Sequence, residues 1–321
     1  NHEYPHQAGA KNPVDRGCPK EIEMPKSERA SPAEIITDMV ISRLEQGVRP
    51  WTKPWACGAS QRPLRACGTP YTGINCLYLW AMAEQNGFHS RYWMTYKQAQ
   101  QLGAQVRKGE KSSLAIFYKQ YDVEPKEDSD DDDGKRRVMR AYHVFNACQI
   151  DDLPEKYTAT EIVVQQPEYE QREALEAMFN SWPLQVRHAG TQAYYSPSAD
   201  IIQLPNREKF FTYPDYAATR VHESVHATGH KDRLNRQFGK RFGDKAYQFE
   251  ELVAESASFF MSGELGLPDT VMEGHVAYIG HWLEILRNDK TALFTAAARG
   301  EEAVNWLKAN ASGRAAAQIA A

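Results

Sequence analysis

The sequence has few cysteines, and they are not arranged as metal ligands or as disulfide pairs. None stands in the paired spacing typical of a structural zinc site, and their odd number argues against a disulfide framework. We interpret them as reduced thiols of a cytoplasmic protein. The five are Cys18, Cys57, Cys67, Cys76 and Cys148.

Long apolar runs are also absent. No uninterrupted apolar stretch could span a bilayer, and the start lacks the hydrophobic segment of a secretion signal, so we expect no membrane partner. Residues 1–23 are polar and show no periodicity, while Met24-Pro25 is typical of a natural start. We therefore interpret 1–23 as a leader of the kind that cloning adds, outside the folded protein.

What the sequence does contain is a His-Glu-x-x-His run with helical periodicity around it. On a helix His222 and His226 lie on one face, with Glu223 beside them. This is the pattern of zinc hydrolases, in which two histidines bind the metal and the glutamate is the general base. Three fixed letters also match by chance, and the alternative is an amphipathic helix with incidental histidines. The apolar stripe before the run and the stop at Gly229 favour a helix packed on a core.

Such a site needs a third protein ligand, and the sequence offers three. Glu251 stands in a second helical run four residues before Glu255, so one can bind metal while the other orients a ligand histidine. Asp232 ends an extension that resembles that of metzincins, and His230 follows the turn. We favour Glu251, because its helix is apolar enough to pack against the first; the alternative is a solvated acidic face. The cofactor is then a divalent ion, Zn²⁺ first, with Mn²⁺ or Co²⁺ as alternatives.

A short strand is predicted before the histidine helix, over residues 199–205, followed by a Pro/Asn turn. In zincin-like folds an edge strand lies above the metal and can pair with an extended substrate. The sequence does not distinguish such a strand from an ordinary edge strand.

Charge is distributed unevenly along the chain. Eight acidic residues fall within 122–133, and we predict a disordered acidic insertion over 122–134. Without this run and the leader, residues 24–121 and 134–150 carry 17 Lys and Arg against 6 Asp and Glu, whereas 151–321 carry 17 against 24. The N-terminal half is therefore basic, and the C-terminal half is mildly acidic.

Aromatic residues are interleaved with the cations of the basic half. Cations that track phosphates, beside rings on which bases stack, are what single-strand binding requires, and nothing resembles a groove-reading helix. For any one ring the alternative is a place in the core. We predict sequence-independent binding of single-stranded DNA. The predicted contacts are Arg49, Trp51, Lys53, Trp55, Tyr71, Trp93, Lys97, Arg107, Lys108 and Lys111.

The predicted fold class is α+β in two domains. Residues 24–153 form an α+β single-stranded-DNA-binding domain, 154–165 a linker, and 166–321 a mainly helical zincin-like domain with a small sheet. In the first domain we predict helices over 32–46, 75–85 and 95–102, and strands over 114–121 and 138–146. In the second, a helix over 167–180 precedes a strand-rich stretch over 192–204, and the rest is mostly helical.

Several multi-residue segments resemble ArdC-type antirestriction proteins of conjugative plasmids. In the N-terminal half, which resembles that family's single-strand-binding domain, they are 44–51 with Trp55, 71–75, 93–98, 106–111 and 144–150. In the C-terminal half, which resembles its metallopeptidase-like domain, they are 222–230, 233–236 and 250–255.

The resemblance implies a protein that escorts transferred single-stranded DNA and protects it from restriction in the recipient cell. It also supports the acidic helix as the source of the third ligand. Two functions stay open. In one, the zincin domain is a working peptidase that acts through Glu223 on a host restriction component or another protein. In the other, the protein is a DNA-binding antirestriction module whose metal site is structural or vestigial.

Overall fold

The structure is a computed structural model that describes residues 30–47, 62–122, 135–158, 168–238, 245–265, 267 and 275–311. From Ser31 onward these residues belong to one compact unit. In the N-terminal half the helices are α1 (Pro32–Glu45), α2 (Gly73–Asn86), α3 (Tyr96–Gln101) and α4 (Glu155–Thr158). The strands of this half are β1 (Leu64–Arg65), β2 (Tyr92–Met94), β3 (Gln105–Val106), β4 (Ser113–Asp122), β5 (Lys135–Asn146) and β6 (Ile150–Asp151).

Local signals determine where α1 begins and ends. The Ser31 hydroxyl accepts the Glu34 amide, and the Glu34 carboxylate accepts the Ser31 amide at 2.6 Å, which forms a capping box. Pro32 occupies the first turn, where a missing N–H costs nothing. Gly47 follows the helix with a φ of 70°, a backbone conformation that L side chains rarely adopt. The helix predicted over 32–46 is therefore confirmed, with its last residue shifted by one.

A four-stranded sheet in the order β1-β2-β5-β4 organises the basic half. The strands predicted over 114–121 and 138–146 are its long antiparallel pair, in a register that runs from Ser113 opposite Val144 to Asp122 opposite Lys135. The acidic insertion between them lies outside the described residues. Strands β3 and β6 form a separate two-stranded sheet beside α3.

The C-terminal half contains a small sheet followed by a helical layer. After α5 (Glu168–Ser181) come β7 (Val186–His188), β8 (Tyr194–Ser196) and β9 (Ile201–Leu204), in the sheet order β7-β9-β8. The helices are α6 (Tyr213–Thr228), α7 (Lys245–Glu264), α8 (His275–Asn288) and α9 (Ala292–Ala309). The strand predicted over 199–205 is β9, and its prediction as an edge strand is wrong. It pairs with β7 on one side and β8 on the other, so β8 lies at an edge.

Helix α7 packs closely against α9 because one position carries no side chain. A Cβ on Gly300 of α9 would lie 3.1 Å from the Ala257 amide nitrogen and 3.2 Å from the Val253 carbonyl of α7. That approach is closer than most Cβ contacts, so any larger residue would push the two backbones slightly apart. The contact positions α7, whose other face packs on α6.

The two halves share one hydrophobic core. Trp80 of α2 is 1% exposed, and its ring centroid lies 5.1 Å from that of Phe259 and 6.5 Å from that of Phe260, both on α7. Arg62 crosses the same boundary, with its Nε 2.7 Å from Glu264 and its Nη1 2.8 Å from Glu301. The α+β class is confirmed, and the domain boundaries at 153 and 166 stay a prediction. Among the described residues, no helix combines the length and the apolar character that crossing a bilayer requires.

Candidate metal centre and basic surface

Local capping interactions determine where helix α6, which carries the histidine motif, begins and ends. Thr212 accepts the Asp215 amide, and the Asp215 carboxylate accepts the Thr212 amide at 3.0 Å, while Pro214 lies in the first turn. Gly229 caps the other end, as predicted. A Cβ on Gly229 would lie 2.6 Å from the ring of Phe238, so a larger residue there would displace that ring from the helix end.

His222, His226 and Glu251 come together in the interior. The two histidine Nε2 atoms are 3.1 Å apart. Glu251 Oε2 lies 3.5 Å from His222 Nε2, and its Oε1 lies 3.6 Å from His226 Nε2. One ligand atom from each of the three residues lies within 4.8 Å of the others, and no other group of three or more acidic, Cys or His residues with that spacing occurs in the described part of the chain. Each is less than 9% exposed.

The donor set fits a divalent metal ion. Two imidazole nitrogens and one carboxylate oxygen are the ligands of three-residue catalytic zinc sites, which leave a further position for water. The same N and O donors also accept other first-row divalent ions. Burial makes uncompensated polar groups costly. A cation shared by these nitrogen and oxygen atoms would compensate them.

Other charged residues hold the histidines from behind. Glu250, 2% exposed, lies 3.3 Å from His226 Nδ1, and Arg236 donates to Glu250 at 2.8 Å. Glu255 Oε2 lies 3.9 Å from His222 Nδ1, beyond hydrogen-bond distance but in position to interact with it. The sequence-based interpretation chose between Glu251 and Glu255 as ligand and orienting residue, and it missed Glu250. Arg236 lies within 233–236, one of the segments that carry the family resemblance. Nothing in the sequence indicated that its side chain contacts Glu250 on α7.

Burial and neighbouring charges shift the pKa values of the clustered residues in opposite directions. Burial alone would lower the pKa of His226, but the charges of Glu251 and Glu250 outweigh it and raise that pKa to about 10. Burial alone would raise the pKa of Glu251, yet the two imidazoles hold it well below its ordinary value. Burial raises the pKa of Glu223, only partly offset by His222 and His226. A carboxyl group whose pKa is raised in this way can take up and return a proton.

The edge strand β8 lies beside Glu223. Strand β8 contacts α6, and the backbone of Tyr195 is near enough to the Glu223 carboxylate to lower its pKa slightly against the effect of burial. Tyr195 is itself held by its hydroxyl, which donates to Asp200 at 2.8 Å, and by Arg233, which donates to that hydroxyl at 3.2 Å and also pairs with Asp200. The strand next to the candidate general base is therefore fixed in place from two sides.

The other two ligand candidates are not in the cluster. Asp232 has a side chain that is 73% exposed and that lies 3.5 Å from His230 Nδ1. His230 is 9% exposed, but it is not among the residues whose ligand atoms converge. The turn at Gly229 directs both residues away from the two histidines.

The predicted DNA contacts fall into three groups. Arg49, Trp51, Lys53 and Trp55 lie outside the described residues. Tyr71 and Trp93 are 2% and 1% exposed, so their prediction as base-stacking rings is wrong for this conformation, in which neither ring is accessible to a base. The exposed ones are Lys97, Arg107, Lys108 and Lys111.

Two family models match the chain, one in each half. Residues 30–145 match the N-terminal domain of anti-restriction factor ArdC, and residues 173–299 match a zincin-like metallopeptidase. The metal-free crystal structure of antirestriction protein ArdC from plasmid R388 is 37% identical and superposes with a TM-score of 0.72, covering 88% of this chain and 98% of ArdC. Its Mn(II)-bound structure superposes with a TM-score of 0.73 and covers 89% of this chain and all of ArdC.

Similar proteins also occur in bacteria as whole chains and as parts of longer ones. Protein y4eC of Sinorhizobium fredii is 38% identical over 287 residues, which are 87% of this chain and 92% of y4eC. DNA primase TraC of Escherichia coli is 36% identical over 301 residues, but this chain spans only 20% of TraC. A second TraC from Escherichia coli is matched over 27% of its length.

Proposed function

The chain belongs to the ArdC family of antirestriction proteins, and from this premise we propose that it binds single-stranded DNA without sequence preference and protects incoming conjugative DNA from restriction in the recipient's cytoplasm. We further propose that its zincin-like half is a metal-dependent peptidase. The observation that carries this second proposal is the convergence of His222, His226 and Glu251 beside Glu223, in the arrangement of a hydrolytic site. We propose Zn²⁺ as the ion, with Mn²⁺ or Co²⁺ as alternatives.

Each residue of the site has a role in this proposal. His222, His226 and Glu251 would hold the ion, which when bound supplies a Lewis acid for the scissile carbonyl and lowers the pKa of water. Glu223 accepts the proton of the attacking water and delivers it to the leaving amine nitrogen. Its buried position supports this role, because burial raises the pKa of the carboxyl group. Glu250 and Arg236 keep the His226 ring oriented toward the ion.

Strand β8 is the proposed place for a peptide substrate. The sheet order β7-β9-β8 leaves β7 and β8 as its two edge strands, either of which can add an extended chain by backbone hydrogen bonds. Of the two, β8 is the edge that contacts α6, so a chain bound along β8 would pass next to the general base. A host restriction component is the substrate class that the antirestriction family suggests.

The DNA-binding part of the proposal rests on the charge of the basic half and on its exposed lysines. A protein segment with 17 Lys and Arg against 6 Asp and Glu outside the insertion and the leader attracts a polyanion. Sequence-independent binding follows from contacts to phosphates rather than to base edges.

One observation favours the second candidate, a metal site without proteolysis. Glu223, His222 and His226 are each 8% exposed, so a substrate carbonyl has little access to them in this conformation. A structural ion at this position would brace α6 against α7. Proteolysis therefore requires a movement, of β8 or of another neighbouring segment, that gives a substrate access to the site.

Replacing Glu223 distinguishes the two candidates. Glu223→Gln removes the proton acceptor while keeping the size of the side chain and all three proposed ligands. We expect normal metal content, loss of cleavage of fluorescent casein by the purified full-length protein, and loss of protection in a conjugation assay into a restricting recipient. Asp232→Asn is the matched control, because its side chain is exposed and outside the cluster. Full protection by Glu223→Gln would contradict the peptidase proposal and favour the structural ion.

A further inference from the structure

A groove in the basic half lies where α3 meets the chain that follows β3. It has a volume of about 740 Å³, within the ~300–1,000 Å³ that is usual for ligand clefts. Tyr96, Val106 and Phe145 contribute its apolar lining, and its polar and charged lining consists of Gln105, Arg107, Lys108, Glu110 and Asp151. None of these residues belongs to the candidate metal centre, so the groove is a separate place at which a ligand could bind.

Tyr96 has the features of a ring that stacks on a base. It is 44% exposed, in contrast to Tyr71 and Trp93, which lie in the core. Its hydroxyl accepts a hydrogen bond from Gln105 Nε2 at 3.1 Å, and the same amide nitrogen donates to the Val106 carbonyl at 2.9 Å. The ring is thus held at the groove wall with much of its surface accessible, which reduces the entropy lost when a base stacks on it.

Arg107 braces the turn beside the groove. Its Nη2 donates to Glu110 at 2.8 Å and to the Cys148 carbonyl, and its Nη1 donates to Asp151 at 3.2 Å. These contacts use three of the five N–H donors of the guanidinium, and two carboxylates balance its charge. The prediction of Arg107 as a DNA contact is replaced by a positioning role.

The lysines around this turn differ from Arg107. Lys97 follows Tyr96 on α3, Lys108 lines the groove, and Lys111 comes just after the turn at Gly109, whose φ is 91°. All three side chains are exposed, and within the described part of the chain none of them forms an ion pair. Cations that the protein does not neutralise, next to an accessible ring, are complementary to a nucleic-acid strand whose bases are unstacked.

We propose that this groove is a nucleotide subsite for single-stranded DNA, in which one unstacked base lies against Tyr96 while Lys97, Lys108 and Lys111 contact the neighbouring phosphates. The inference rests on the proposed DNA binding and deepens it by naming the surface and the ring. A duplex does not satisfy the groove, because its bases are already stacked on one another. The occupant is therefore a single strand.

The test measures binding of a fluorescein-labelled oligothymidylate to the full-length protein by anisotropy. Replacing Tyr96 with Ala should weaken binding about tenfold, since one base–aromatic stack contributes ~1–3 kcal/mol and ~1.4 kcal/mol corresponds to a factor of ten. Tyr96→Phe keeps the ring and should bind almost as well as the wild type. Phe211→Ala is the control, because Phe211 is an aromatic residue that is 94% exposed and lies just before α6 in the other half, and it should leave affinity unchanged.

Photocrosslinking locates the base directly. With a 5-bromodeoxyuridine-substituted single strand, we expect the crosslinked peptide to contain Tyr96. If the wild type binds the strand but Tyr96→Ala binds equally well and the crosslink maps elsewhere, the groove inference is wrong and the proposed DNA binding stands. If the wild type does not bind single strands, or binds duplex equally well, both are wrong.

Discussion

The candidate metal centre and the basic groove handle charge in opposite ways. In the metal centre, histidines and carboxylates are buried close to one another, with Arg236 and Glu250 paired behind His226. In and around the groove, Lys97, Lys108 and Lys111 are exposed to solvent, where water and salt screen them. Removal of one group should therefore disrupt the metal centre, whereas it should only weaken the groove in small increments.

The largest expected effect is the loss of metal from the centre. His222→Ala removes one of three converging ligands, so the purified protein should go from about one divalent ion per chain to almost none, as judged by elemental analysis. Asp232→Asn should keep its ion, because Asp232 lies outside the cluster. An unchanged ion content in His222→Ala would show that the ion binds elsewhere.

Next in size is the effect of breaking the buried pair behind His226. Arg236→Leu leaves Glu250 buried beside the histidine without its cation, and should lower the free energy of unfolding by ~3–5 kcal/mol. The matched control is Arg287→Leu, which breaks an exposed pair with Glu45 and should cost less than ~1 kcal/mol. Urea unfolding of the metal-free proteins measures both. Equal losses of unfolding free energy in the two variants would show that the buried ion pair contributes no more to stability than the exposed one.

In the groove we expect a smaller change that depends on salt. Lys108→Ala should reduce the slope of log affinity against log salt concentration by about one for single-stranded DNA, because one phosphate contact is lost. Arg107→Ala would not serve here, since Arg107 holds the turn. Titrations of the wild type and Lys108→Ala at several salt concentrations check this. A slope identical to that of the wild type would place Lys108 away from the phosphates.

The smallest effect concerns the support of β8. The hydrogen bond from Arg233 lowers the pKa of Asp200 in the folded protein. A carboxyl group with a lowered folded-state pKa stabilises the fold above its ordinary pKa, and this contribution is lost as the pH falls through the lowered value. Asp200→Asn should therefore be less stable than the wild type near neutral pH, and the difference should vanish in strong acid. Melting temperatures across pH measure it, and a difference that grows in acid would contradict the assignment.

Aromatic residues show where sequence-based prediction reached its limit. Trp93, Tyr71 and Tyr96 all occur among cations in the basic half, and composition favours nucleic-acid binding by this half without telling which ring stacks on a base. Only packing separates them: the first two rings lie in the core, whereas Tyr96 begins a short helix that leaves its side chain at the surface. Neighbouring residues in the chain do not report how much of a ring another element covers.

Sequence-based prediction reached the same limit for the acidic residues of α7. Glu251 and Glu255 were predicted to supply a ligand and a supporting group, and the structure places both of them, together with Glu250, near the histidines. Which carboxylate reaches the two Nε2 atoms depends on the rotation of α7 against α6. That rotation depends in turn on the close contact of α7 with Gly300 of α9, about fifty residues further along the chain.

The sequence by itself determined the local features: the capped start of α6, its stop at Gly229, and the placement of His222 and His226 on one helix face with Glu223 beside them. These follow from helix geometry and from hydrogen bonds between residues a few positions apart. Only the tertiary structure decided that Glu251 completes the cluster, that Glu250 and Arg236 support it, that β8 borders Glu223, and that Tyr96 is the exposed ring of the groove. These features depend on the packing of elements that are distant in the chain, and long-range packing is specified by the whole fold rather than by any one segment.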